Sequence, residues 1–114
     1  MHPHFDEQVA RLLLPTLLES NVPRTYAAGL SQERGSGERF LLRVADDPSA
    51  SWLVTIDADA LHVSRGDAPA DLRITAPAAD LALLVYGRAD LSNFSGVQAD
   101  PALVERFTRT FPRP

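Results

Sequence analysis

The spacing of apolar residues changes twice along this chain, and those changes decide its fold class. Phe5, Val9, Leu12, Leu13 and Leu17 fall on one stripe at helical spacing. Pro15 lies inside that run and removes the amide that would bond the carbonyl of Arg11. A kinked helix, or two short pieces, is expected over about residues 4–19, ended by Ser20-Asn21-Val22-Pro23. Leu14 and Leu18 widen the stripe beyond what one core face needs.

In the middle of the chain the period falls to two. Phe40, Leu42 and Val44 alternate with other residues, as do Trp52, Val54 and Ile56, the pattern of half-buried strands. Leu61 and Val63 belong to a third strand and Leu72-Arg73-Ile74-Thr75 to a fourth; Tyr26 to Ser31 is an optional extra one. Turns fall at Glu33–Gly37, Asp46–Ser49, Asp57–Asp59 and Gly66–Pro69. Links this short favour an antiparallel meander. The helical period then returns. Pro77 opens a helix that Gly87 closes, with Leu81, Leu84 and Val85 toward the sheet. Asn93–Gln98 suits a short last strand, and Asp100 caps a final helix from Pro101 to near Phe111. The order α–β–β–β–β–α–β–α is α+β: a mostly antiparallel sheet of about five strands with helices on one face. At 114 residues a single domain, 1–114, is expected.

Charge and composition remove several functions. A net charge of −4 provides no basic field for nucleic acid or an anionic membrane surface, and no apolar run is long enough to insert in a bilayer. Without cysteine there is no disulfide, thiolate zinc site or thiol nucleophile. All 11 basic residues are Arg, so no lysine can form a Schiff base. The Met1–Glu7 start lacks a secretory pattern, and abundant Ala and Arg suit a GC-rich bacterial genome; a cytoplasmic location is expected.

Few residues form a chemical constellation. Arg43, His62 and Arg73 each alternate with buried positions, so the three share the outer face of the sheet. Two guanidiniums beside an imidazole suit a carboxylate or phosphate, whereas the plainer alternative pairs each Arg with a nearby Asp. The plainer alternative carries more weight. His2, His4, Asp6 and Glu7 resemble metal ligands, but a chain terminus preorganises no site. Gly35-Ser36-Gly37 has neither the spacing of a nucleophile elbow nor the Lys of a phosphate loop. Arg88 follows a helix end, where the dipole favours a cation. Trp52, Phe40, Leu84, Phe94 and Phe107 fill a core or line an apolar pocket; at this size a solid core is expected.

The segment from Trp52 to Asp100 carries a resemblance. It runs from a Trp-led strand through Arg65-Gly66, Ala70-Asp71-Leu72-Arg73-Ile74 and Ala76-Pro77-Ala78-Ala79-Asp80-Leu81 to Tyr86-Gly87-Arg88 and Val97-Gln98-Ala99-Asp100. This resembles the C-terminal domain of the mycothiol-dependent maleylpyruvate isomerase family, itself similar to the sterol carrier protein type 2 fold. Arg11-Leu12-Leu13-Leu14-Pro15 looks like the start of that domain. Ala99-Asp100 stands where the family usually has Gly-Asp. The family's metal-binding catalytic helical bundle has no counterpart in these residues, so its ligands cannot be transferred. The resemblance implies that Arg88 can reach the anionic groups of a thiol cofactor such as mycothiol when a partner supplies the metal.

Two functions follow as expectations. The first is a free-standing, non-catalytic binding or interaction module, docking on a metal-binding helical-bundle protein or on itself through the wide leucine face at Leu14 and Leu18. The alternative is a small sterol-carrier-like protein that binds a lipid or another apolar ligand. An enzyme acting alone is the weakest reading.

Overall fold

The computed structural model describes residues 6–86, 94, 96–98 and 101–112. Asp6 opens the first helix, α1 (Glu7–Thr16), by accepting the amides of Gln8 and Val9 at 2.9 and 3.3 Å. Pro15 does not break it. The helical path continues through a π turn, Leu17–Asn21, into α2 (Val22–Ala27), with the Val22 amide reaching back to the Leu17 carbonyl. Pro23 sits in the first turn of α2, where a missing amide is tolerated.

The π turn has a cause in the sequence. Ala10, Leu14, Leu18, Val22 and Tyr26 are all buried, at uniform steps of four. In a regular α-helix each such step overshoots a full turn by ~40°, so the row would wind off the core face. A turn closed from i to i+5 unwinds the helix locally and keeps the row inward. The expected stop at Ser20–Pro23 is therefore corrected, and so is the optional strand at Tyr26–Ser31. Those residues belong to α2 and to the turn after it, which Gly29 completes at φ +83.

The sheet has four substantial strands and a two-residue fifth. They are β1 (Glu38–Val44), β2 (Asp47–Ile56), β3 (Leu61–Arg65), β4 (Leu72–Ala76) and β5 (Val97–Gln98), in spatial order β3-β2-β1-β4-β5. The first three form the expected antiparallel meander. The fourth departs from it: β4 lies parallel to β1, with Phe40 opposite Leu72 and Leu42 opposite Ile74. Leu72 is level with Val63 three strand positions away, because both align with Phe40 and Val54. The link 66–71 thus spans three strand spacings, ~14 Å, with little return along the strands. Short links suggested a hairpin; this one is a crossover.

Helices cover one face of the sheet, confirming the α+β class. Phe40, Leu42, Val44, Trp52, Val54, Ile56, Leu72 and Ile74 meet the buried row of α1–α2, the apolar residues of α3 (Ala78–Val85), and Phe107 and Phe111. Phe107 lies in α4 (Pro101–Thr110) and meets Phe40 edge-on with ring centroids 5.0 Å apart. Leu84 is buried with this cluster, and Phe94 packs at its margin. Helix α3 has no side-chain cap of its own. Glu7 of α1 supplies one, its carboxylate accepting the Ala78 and Ala79 amides at 2.8 and 2.9 Å.

At the Glu38 end of β1 the molecule is closed by a dense network. The Tyr26 hydroxyl, fully buried, donates to the Asp57 carbonyl (2.7 Å) and accepts the Gly35 amide (2.8 Å). Arg34 stacks its guanidinium 4.1 Å from the Tyr26 ring centre and donates to the carbonyls of Tyr26 and Ala58. Arg106 of α4 joins Glu38 at 2.9 Å, Glu33, and the Arg34 carbonyl at 3.0 Å. Burial works to raise the Glu38 carboxyl, but bonds from the Ser36 amide and Arg106 outweigh it, so its pKa is lowered.

Candidate functional site

The Val44 end of β1 is built differently. Helix α1 packs on α3, where Glu7 fastens it. Its other flank stands away from the β1–β2 hairpin. Register shifts between Arg43 and Val44 at the start of that hairpin. Three small residues, Ser49, Ala50 and Ser51, then follow where larger side chains would fill the gap. The result is a cleft of about 240 Å³. Leu14, Pro15, Val44, Ala50 and Trp52 give it an apolar lining, with Arg11, Asp47 and Arg65 among the polar groups around it.

Polar contacts hold its walls. Glu19, in the π turn, accepts the Trp52 indole N–H at 3.2 Å and the Arg65 Nε–H at 2.9 Å on the same oxygen. Arg11 forms an ion pair with Asp46 at the hairpin tip and lies 3.6 Å from Glu7. The Ser49 hydroxyl donates to the Asp47 carboxylate at 2.6 Å and lowers its pKa. Both arginines of the cleft are therefore matched by carboxylates. What remains is a cleft of mixed lining, with one apolar wall of Leu14, Pro15, Val44, Ala50 and Trp52 beside polar groups that include Ser49 and Ser51. Among the described residues no three His, Asp or Glu come together to hold a metal, and no helix is long and apolar enough to cross a membrane.

The outer-face residues singled out by sequence sit elsewhere. Arg43 and Arg73 do share that face, and both meet Asp67 of the link 66–71, at 3.9 and 3.0 Å. Arg73 also donates to the Ala68 carbonyl at 3.5 Å. The link thereby lies over the outer face, where Leu41 and Leu53 are buried opposite one another. His62 shares the face but not the cluster. It stands on edge strand β3 with Asp57 at 3.8 Å. The plainer alternative, each Arg paired with a nearby Asp, describes Arg43 and Arg73 here, and both act as struts for the crossover.

The wide leucine face is corrected. Leu14 and Leu18 are fully buried, while Leu12 and Val9 are 79% and 45% exposed. The four-residue row set by the π turn selects the first pair and rejects the second. Arg88, His2 and His4 lie outside the described residues. Sequence reasoning missed Arg11, Glu19 and Arg65, whose partners are 35 to 46 residues distant. The run Ser49-Ala50-Ser51 beside the sole Trp was the one legible signal of a cleft.

The SCP-2 sterol transfer family matches residues 23–95, from α2 past the end of α3. Among solved structures, a UbiJ-SCP2 ubiquinone synthesis protein aligns with 95% of this chain and 91% of its own, at 21% identity and a TM-score of 0.48. A GCN5-related N-acetyltransferase from Anabaena variabilis aligns with 82% of this chain at 18% identity and a TM-score of 0.47. This chain spans only 25% of that acetyltransferase. No curated protein matches the chain. The family match is to the sterol-carrier side of the resemblance and not to the mycothiol-dependent isomerases.

Proposed function

The chain belongs to the SCP-2 sterol transfer family, and on that premise we propose that it binds an apolar ligand in the cleft between α1 and the β1–β2 hairpin. The observation that carries this reading is the apolar wall of Leu14, Pro15, Val44, Ala50 and Trp52 on one side of the cleft. Ligand pockets for small molecules run from ~300 Å³ upward, so at about 240 Å³ the cleft takes only part of a slim hydrocarbon chain as it stands. A rigid ring system needs the cleft to widen. The sterol-carrier alternative thus has more support than an accessory module of an isomerase.

Trp52 is the only tryptophan, which makes occupancy directly readable. Energy transfer from Trp52 to cis-parinaric acid should rise saturably and be reversed by excess oleic acid. Ala50→Phe, which fills the cleft, should weaken that binding at least about tenfold. Non-saturable transfer, or equal binding by the filled variant, overturns the reading.

A second reading rests on one observation of its own, the exposure of Leu12 and Val9 on α1. These residues suit docking on a second copy or on a metal-binding helical-bundle protein, with mycothiol as the cofactor of that assembly. Sedimentation of the purified chain tests self-association: a monomer at millimolar concentration removes the homodimer.

A further inference from the structure

The helical stretch 7–27 is anchored unevenly. Before Pro15, α1 buries only Ala10 and Leu14. After it, Leu17, Leu18, Val22 and Tyr26 are all buried, and Tyr26 is bonded at its hydroxyl as well. Between the two parts stands a proline, which leaves the Arg11 carbonyl without its helical donor. The front part is held down at its edges by charged groups: Glu7 on the amides of α3 and Arg11 on Asp46. The exposed Arg11–Asp46 pair exchanges readily for water, whereas buried apolar contacts do not.

We propose that residues 7–14 form a hinged lid over the cleft, opening about Pro15 when the Arg11–Asp46 clasp releases and Glu7 leaves the amides of α3. This rests on the ligand-binding reading for its purpose but not for its geometry. The lid contributes Arg11 and Leu14 to the cleft, so swinging it outward unroofs one side of the apolar lining. The opposite wall, Trp52 and Arg65, stays tied to Glu19 behind the hinge. The closed form is the form that retains ligand. Lid opening then sets how fast ligand enters and leaves rather than how tightly it is held.

Amide hydrogen exchange on the unliganded chain tests the hinge, and stopped-flow exchange of cis-parinaric acid tests the gating. Amides of residues 10–14 should exchange at least about tenfold faster than those of residues 18–26. Asp46→Asn, a residue outside the cleft lining, should speed the first set about threefold and leave the second unchanged. The same variant should raise both association and dissociation rates about threefold with an unchanged Kd. Arg11→Cys/Asp46→Cys joined by a short bismaleimide, in a chain with no other cysteine, should slow both rates at least about tenfold. Equal protection on the two sides of Pro15 overturns the lid whatever the binding result. Rates unchanged by both the variant and the cross-link overturn the gating. Fast exchange at 10–14 without any cis-parinaric acid binding overturns the ligand reading and upholds the hinge.

Discussion

At the Glu38 end of β1, the loop leading into the strand is fixed by a buried hydrogen bond that water cannot replace, with a partly exposed arginine network around it. At the Val44 end, α1 and the hairpin are joined by charged side chains that water can serve equally well. The Tyr26 hydroxyl and the Gly35 amide are buried partners, so separating them leaves both unsatisfied. Arg11 and Asp46 are exposed, and their separation costs each little. The two ends belong to one core yet differ in what opening would strand. Rigidity is concentrated where backbone must be satisfied, and the cleft lies where it need not be.

The sharpest way to break the closed end is Gly35→Ala. A Cβ there would stand 2.1 Å from the Ile56 carbonyl oxygen and 2.5 Å from the Ile56 Cγ2. Backbone of β2 would have to move, and overpacking of this kind costs roughly 3 kcal/mol. Urea unfolding should show that loss. Tyr26→Phe is the next largest. It keeps the ring beneath Arg34 but leaves the Gly35 amide and the Asp57 carbonyl without their partner, at a cost of about 1–3 kcal/mol. A near-neutral Tyr26→Phe would mean that water reaches the hydroxyl, and the contrast between the two ends would collapse.

Arg106→Ala sharpens the comparison through pH. The Glu38 carboxyl is lowered in the folded protein, so its contribution is complete above its ordinary value near 4.5 and is lost as pH falls through the lowered value. Removing Arg106 takes away one of the bonds that lower it, and its positive charge with it. The variant should therefore be less stable than the parent at pH 7, with the gap narrowing below about pH 4.5. Urea midpoints from pH 3 to 7 read this directly. A gap constant across that range would show that Glu38 keeps its lowered value without Arg106.

The same contrast marks what the amino-acid sequence discloses. Strands β1 and β2 and helices α3 and α4 were legible because each buries a local pattern: alternate residues at 40–44 and 52–56, a continuous apolar run at 81–85. The partner of β4 was not. Gly66-Asp67-Ala68-Pro69 reads as a tight turn, and long-range contacts such as those of Asp67 with Arg43 and Arg73 and of Asp71 with the Arg39 amide route it across the sheet. The course of α1–α2 was misread for a different reason. Pro15 and Pro23 are strong breakers in isolation, but the four-residue row from Ala10 to Tyr26 buries enough apolar surface to carry the helix through both. That row was visible and called for a π turn. Sequence alternation put Arg43 and His62 on one face but could not give their separation, which register sets by placing His62 at the far side of β2 from Arg43. The cleft depends on Glu19, Trp52 and Arg65 meeting over 33 and 46 residues of chain, and no local pattern encodes that.

The smallest effect is expected at Leu12, and its smallness is informative. This side chain is 79% exposed on the arm that carries the cleft's loose wall. Leu12→Gln removes almost no buried apolar area and keeps a good helix former, so stability should stay within ~0.5 kcal/mol of the parent. If the loose end is a lid over a ligand cleft and nothing more, cis-parinaric acid binding and sedimentation should both be unchanged. If Leu12 and Val9 instead meet a second copy, the parent should sediment above monomer size and Leu12→Gln should restore the monomer. Association lost on substitution would assign the exposed face of α1 to an interface, and the hinge would then open against a partner rather than against water.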